Sequence, residues 1–192
     1  MTAHDAMAEA KQAARKAAFA RRKAVHDPDR DRRACANLLE FLAPHRGRPT
    51  AGYMPIRTEV DPLAAMAELA AHGEVGVPVI QGAGQPLVFH RWTPGCDLKE
   101  GPFGAKVPFE EIPVIPEVVI LPLVAFSKDG FRLGYGGGFY DRTLEGLRAR
   151  GPVLAVGFAY AAQKAETLPL EPTDQPLDAI VTEVGATVFS RP

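Results

Sequence analysis

Residues 118–126 read VVILPLVAF and residues 153–160 read VLAVGFAY. Neither run alternates between apolar and polar positions. A strand built from either must therefore be covered on both faces, as in a largely parallel sheet lying between helices. Shorter segments rich in Val and Ile predict further strands at 75–80, 87–92, 179–181 and 187–189, with another at 51–54.

Helical segments supply the covering layers. Residues 5–25 contain no Gly or Pro and many strong helix formers, which predicts a long first helix. Asp27-Pro28 suits the cap and first position of a second helix, whose apolar set is Ala34, Cys35, Leu38, Leu39 and Leu42. Asp61-Pro62 starts a third, with Leu63, Met66, Ala67 and Ala70 expected inward and Gly73 as its stop. A fourth helix is expected from Phe139 to Arg150. Residues 93–117 carry five prolines and three glycines, which predicts a long, rigid surface loop. The expected fold is α/β: a single domain over residues 1–192, three-layered, with an open, mostly parallel sheet and helices on both faces.

The 192 residues carry 22 Lys and Arg against 23 Asp and Glu, a net charge of −1. Such a balance gives no global attraction for nucleic acid or an anionic membrane, so any anion must be recognised locally. The apolar runs are too short to span a bilayer, and the charged, Ala-rich N-terminus lacks the apolar core of a signal peptide. A cytosolic monomer is expected. Cys35 and Cys96 form no CxxC pair and read as reduced structural thiols, and the five histidines show no metal-ligand spacing.

Local anion recognition has one obvious candidate. Residues 131–144 read FRLGYGGGFYDRTL, with Gly134, Gly136, Gly137 and Gly138 within five positions. A dinucleotide fingerprint starting at Gly134 needs glycine where Phe139 stands, one starting at Gly136 needs it at Asp141, and no Gly-Lys-Ser/Thr triplet is present. What remains is a glycine-rich loop entering a helix, where backbone N–H groups and the helix dipole attract an anion. On composition alone a flexible hairpin loop is the alternative. Arg132 before the loop favours phosphate binding, and Asp141 after it could hold the Mg²⁺ that accompanies a nucleoside triphosphate.

Three further segments carry candidates. Lys11, Arg15 and Arg22 fall in one narrow sector of the first helix at about 100° per residue; such stripes are usually solvated faces. In YMPIRTEVDP (53–62) Asp61 is explained as a cap, whereas Glu59 is a candidate partner for a polar heterocycle. In LPLEPTDQPLDAIVT (168–182) Asp174 is a candidate second oxygen donor to the metal held by Asp141.

Taken together, Lys11 and Arg15, the YMPIRTE segment, GFRLGYGGGFYD, VGFAYAAQ and LPLEPTDQPLDAIVT resemble the 5-formyltetrahydrofolate cyclo-ligase family, over nearly the whole chain. The resemblance implies ATP-dependent cyclisation of 5-formyltetrahydrofolate to 5,10-methenyltetrahydrofolate with release of ADP and phosphate. By the same likeness, Lys11, Arg15, Arg132 and Gly134, Gly136, Gly137 and Gly138 contact ATP phosphates, and Tyr140 lies on the nucleotide. Arg132 and Lys11 also act as the catalytic charges. Asp141 and Asp174 hold Mg²⁺. Met54, Glu59, Tyr135, the three glycines 136–138 and Phe139 line the folate side, with Glu59 bonding the pterin. A catalytically silent folate- or nucleotide-binding protein of the same fold is the alternative. Four positions depart from the family pattern: Ser127 replaces Asp, Phe139 replaces the first Tyr of Tyr-Tyr-Asp, Gly137 stands where some members carry Lys, and Val107 stands where Glu precedes Pro.

Overall fold

The computed structural model describes residues 3–189. Its four helices are α1 (Ala3–Val25), α2 (Pro28–Leu42), α3 (Leu63–Ala70) and α4 (Phe139–Arg148). Seven strands form the central sheet: β1 (Thr50–Ala51), β2 (Val75–Ile80), β3 (Leu87–Arg91), β6 (Val118–Pro122), β9 (Leu154–Phe158), β10 (Ala179–Thr182) and β11 (Gly185–Val188). Two small antiparallel pairs stand apart from it: β4 (Leu98–Glu100) with β5 (Lys106–Pro108), and β7 (Ala125–Phe126) with β8 (Arg132–Leu133).

The sheet order is β11-β10-β9-β6-β1-β2-β3. The five inner strands are parallel, while β3 and β11 close the edges antiparallel. Along β6, Val118 and Ile120 face the core under α2 and α3, and Val119 and Leu121 face the core under α4. This two-sided burial is the physical reason the run does not alternate. Helices on both faces give the expected three layers.

Local chemistry sets the helix starts as the sequence predicts. Asp27 Oδ1 accepts from the Asp29 N–H, and Asp61 Oδ1 accepts from the Leu63 N–H at 2.8 Å. Other expectations need correction. The strand at 51–54 is only Thr50–Ala51, although the Gly52 N–H still donates to the Gly76 carbonyl at 2.9 Å; a Cβ at Gly52 would lie 2.5 Å from Met66 Sδ. The run at 118–126 is not one strand: it breaks after Pro122, and Ala125–Phe126 joins the small sheet with β8. In α3 Met66 is buried and Leu63, Ala67 and Ala70 pack against the core as expected, but the inward face also takes Ala65 and Leu69, which the sequence reading left out. The segment 93–117 is not all loop, since Leu98 to Glu100 pair with Lys106 to Pro108 in a hairpin whose tip is Pro102–Gly104.

Candidate active site

The chain leaves β1 toward β2 through α3, and leaves β6 toward β9 through α4. Between β1 and β6 the winding therefore reverses, and open α/β sheets bind ligands in the crevice beyond the carboxyl ends of such strands. A cavity of about 840 Å³ lies there, lined by Tyr53 and Met54 just after β1 and by Pro122 at the end of β6. Lys11, Arg15, Met54, Glu59, Arg132, Gly134, Tyr135, Gly136, Gly137, Gly138, Phe139, Tyr140, Asp141 and Asp174 all line it. The segments that sequence reading singled out separately thus share one cavity.

The glycine loop owes its shape to close neighbours as well as to backbone angles. Gly136 has φ +102°, and a Cβ there would sit 3.0 Å from Arg15 Nη2. Gly138, the residue before α4, has φ +63°, and its Cβ would meet Arg142 Nη1 at 2.7 Å. Arg15 Nε donates to the Gly134 carbonyl at 2.9 Å, so α1 grips the loop directly. Arg142 donates to the Gly137 carbonyl at 2.6 Å and lies over the Phe139 ring. A cation therefore stands beside Gly137 although that position carries no Lys.

The charged residues form two brackets. Arg132 Nη2 donates to Asp141 Oδ1 at 2.8 Å and Arg132 Nη1 donates to the Gln175 carbonyl at 2.5 Å, while the Gln175 N–H donates to the same Asp141 oxygen. The Arg132 fork expected to face phosphate thus faces Asp141 and the 168–182 loop. Lys11 bridges Glu171 at 2.7 Å and Asp174 at 3.3 Å. Burial works against its charge, but the Glu171 hydrogen bond and the pull of Asp174 outweigh that and hold its pKa above the usual lysine value.

Glu59 and Tyr135 line the same cavity. Glu59 is 5% exposed; its Oε1 accepts from the Tyr135 hydroxyl at 3.0 Å and its Oε2 from the Ile56 N–H at 2.8 Å. Burial pushes its pKa up, opposed by these two donors and by Arg22 and Arg57. Burial likewise raises the Tyr135 hydroxyl to about 12, with the Glu59 charge adding to it. The Tyr140 hydroxyl is buried without a hydrogen-bond partner among the described residues. An unpaired buried hydroxyl is costly, so a polar ligand atom in the cavity is its natural partner.

Two departures from the family pattern find local explanations. Ser127 Oγ accepts from the Asp129 and Phe131 N–H groups, each at 3.3 Å, which is the turn-closing role a carboxylate would fill. Val107, buried on β5, is part of the cavity wall, and a Cβ at Gly101 would press within 2.9 Å of its Cγ1. It makes that wall apolar.

Sequence reading missed several lining residues. Phe103, 78% exposed at the hairpin tip with φ +59°, carries no motif signal, and Arg57, with φ +55°, sat inside the quoted YMPIRTE segment without being singled out. Glu171 and Arg142 sat inside quoted segments, three residues from Asp174 and next to Asp141, and both line the cavity. Arg22 belonged to the basic stripe, but it is buried among the loops and forms no solvated face.

The 5-formyltetrahydrofolate cyclo-ligase family model matches residues 7–183. A 5-formyltetrahydrofolate cyclo-ligase of Mycolicibacterium smegmatis is 31% identical over 157 residues, covering 76% of this chain and 78% of that protein. The Haemophilus influenzae enzyme of the same name is 43% identical over 96 residues, 47% of this chain; the match spans about half of the relative's length, 51%. For the Escherichia coli enzyme the matched share of its length is 36%, at 52% identity over 66 residues. Among solved structures, the 5,10-methenyltetrahydrofolate synthetase of Aquifex aeolicus superposes with a TM-score of 0.78 and 31% identity, covering 95% of this chain and 94% of that one. That of Mycoplasma pneumoniae gives 0.67 and 27%, covering 90% and 98%. With the family match extending across all four segments that build the cavity, the chain belongs to the 5-formyltetrahydrofolate cyclo-ligase family.

Proposed function

We propose that the protein uses ATP to cyclise 5-formyltetrahydrofolate to 5,10-methenyltetrahydrofolate, releasing ADP and phosphate. The observation that carries this reading is that one cavity of about 840 Å³ is lined both by Lys11, Arg15, Arg132 and the glycine loop and by the buried Glu59 with Tyr135. Family membership supports the same assignment.

A formyl oxygen is a poor leaving group, and phosphorylation makes it a good one. The formyl oxygen attacks the γ-phosphorus, the bond to the β-phosphate breaks and ADP leaves. Nitrogen 10 of the folate then adds to the activated carbon and loses its proton, and the carbon–oxygen bond breaks to release phosphate. Such a reaction needs positioning and charge neutralisation more than a protein nucleophile. Lys11, Arg15 and Arg132 supply positive charge at the phosphate end, and the loop 134–138 supplies backbone N–H groups. Glu59 accepts hydrogen bonds from the pterin, with Met54, Tyr135 and Phe139 beside it.

Asp141 and Asp174 fit a role in holding Mg²⁺. Among the described residues, each engages its neighbours through one oxygen, Oδ1 of Asp141 and Oδ2 of Asp174. Among the described residues no group of three ligating side chains is close enough to hold a metal by itself. Two carboxylates completed by phosphate oxygens is the usual arrangement for Mg²⁺, which would neutralise charge on the transferring group. A cytosolic monomer completes the proposal, to be checked by cell fractionation and sedimentation.

Purified protein given 5-formyltetrahydrofolate and MgATP is expected to develop the absorbance of the methenyl product, and to do so only with ATP present. Tight folate binding without product would identify a silent binding protein instead.

A further inference from the structure

Arg22 is 1% exposed, on the α1 sector that also carries Lys11 and Arg15, yet it does not line the cavity. Its guanidinium sits 5.2 Å from the Phe19 ring centroid and 5.7 Å from that of Tyr135. Nε donates to Thr58 Oγ1 at 3.1 Å, Nη1 to the Leu123 carbonyl at 3.4 Å and Nη2 to the Tyr135 hydroxyl oxygen at 2.9 Å. Tyr135 in turn donates to Glu59 Oε1 at 3.0 Å.

The polarity of this chain is forced. Arg has five donors and no acceptor, so the Tyr135 oxygen must accept from it. The single hydroxyl proton is then available to Glu59 alone. With the Ile56 N–H on the other carboxylate oxygen, both oxygens face fixed donors and remain acceptors. A ligand reaching Glu59 must therefore present donors, as the amino and ring N–H groups of a pterin do.

We propose that Arg22 is a positioning residue for folate recognition: by fixing the Tyr135 hydroxyl as a one-way donor, it keeps the Glu59 carboxylate an oriented acceptor at the pterin end. This rests on the cyclo-ligase reading above. The groups facing Glu59 are Arg22 from α1, Arg57 from its own loop, Tyr135 from the glycine loop, Tyr140 from α4 and the buried Tyr53. Of these, only Tyr135 touches both Arg22 and Glu59.

The test is a double-mutant cycle on the full-length protein with Arg22→Met and Tyr135→Phe, measuring KM for each substrate and the pH dependence of kcat/KM for 5-formyltetrahydrofolate. Tyr135→Phe removes a donor that lowers the Glu59 pKa, so the acidic limb moves to higher pH. The folate KM rises on the order of tenfold or more, as expected for losing a hydrogen bond to a charged group, while the ATP KM stays within about twofold. Arg22→Met gives the same pattern, and the double variant is no worse than the more impaired single. Should Arg22→Met fail to fold, Arg22→Lys takes its place in the cycle and Tyr135→Phe still reports the pH shift. Additive effects, an unmoved acidic limb, or equal rises in both KM values would overturn the proposal. Absence of methenyl product from the wild-type protein would instead refute the cyclo-ligase reading.

Discussion

At the scale of single residues, the glycines of the 134–138 loop are not equivalent. Gly136 combines φ +102° with the Arg15 guanidinium at 3.0 Å, while Gly134 has open space around its Cβ direction and no positive φ. A side chain at 136 must both adopt a disfavoured backbone region and displace a cation that holds the loop. Gly136→Val is therefore expected to lower kcat/KM for ATP by roughly five- to a hundredfold, the range that corresponds to a strain of about 1–3 kcal/mol. Gly134→Ala should retain activity near that of wild type. Steady-state kinetics of the two variants decide the matter, and equal losses would show that flexibility alone is what the loop needs.

At the scale of elements, α2 shows how little sequence is required to place a helix when the end chemistry is explicit. Asp27 adopts extended backbone angles, accepts from Asp29, and is followed by Pro28 at the first helical position. Its side chain closes one of the donors that a helix start leaves open. Asp27→Ala is expected to cost about 1 kcal/mol in urea unfolding with an unchanged slope. A change below a few tenths would show that packing of Leu38 and Leu42 alone fixes this end. The β4–β5 hairpin is the opposite case. Its three-residue strands are mostly exposed and its sequence is punctuated by prolines, so neither alternation nor apolar burial announces it. Its own antiparallel ladder and the packing of β5 beside β2 and β3 make the segment regular.

Taken as a whole, the layers and most strands were legible because two-sided apolar runs, capping residues and glycine stops act locally. The site was legible only in part. The residues with distinctive local chemistry were visible, including Lys11, Glu59, Arg132, Asp141 and Asp174, but their partners were not. That Arg132 faces Asp141, that Lys11 joins Glu171, and that Arg22 reaches Glu59 through Tyr135 are facts of tertiary juxtaposition, and no periodicity encodes them.

Burying carboxyl groups to build the site has a stability signature across pH. The Glu59 pKa is raised in the folded state by burial, so between the unfolded glutamate value near 4.3 and the higher folded value the native state holds more protons than the unfolded state. Stability therefore falls as pH rises through that window and its loss is complete above the folded pKa. Asp31, also raised by burial despite the Tyr160 hydroxyl at 2.5 Å, contributes in the same direction. Replacing Glu59 by Gln should remove its share. The stability of wild type relative to Glu59→Gln, read from urea unfolding between pH 4.5 and 7.5, is expected to decline with pH whatever the constant offset. A flat difference would contradict the buried-carboxylate account.

The ion pairs of Lys11 bear on the order in which the molecule is made. Glu171 and Asp174 lie 160 and 163 residues further along the chain. Arg15 waits for Gly134, 119 residues on, and Arg21 for Ala162, 141 residues on. While the chain emerges from the ribosome, α1 is made well before these partners of its charges. The sheet can begin to pair when β2 and β3 are out, but the pocket closes only once the segment carrying Glu171 and Asp174 has been synthesised.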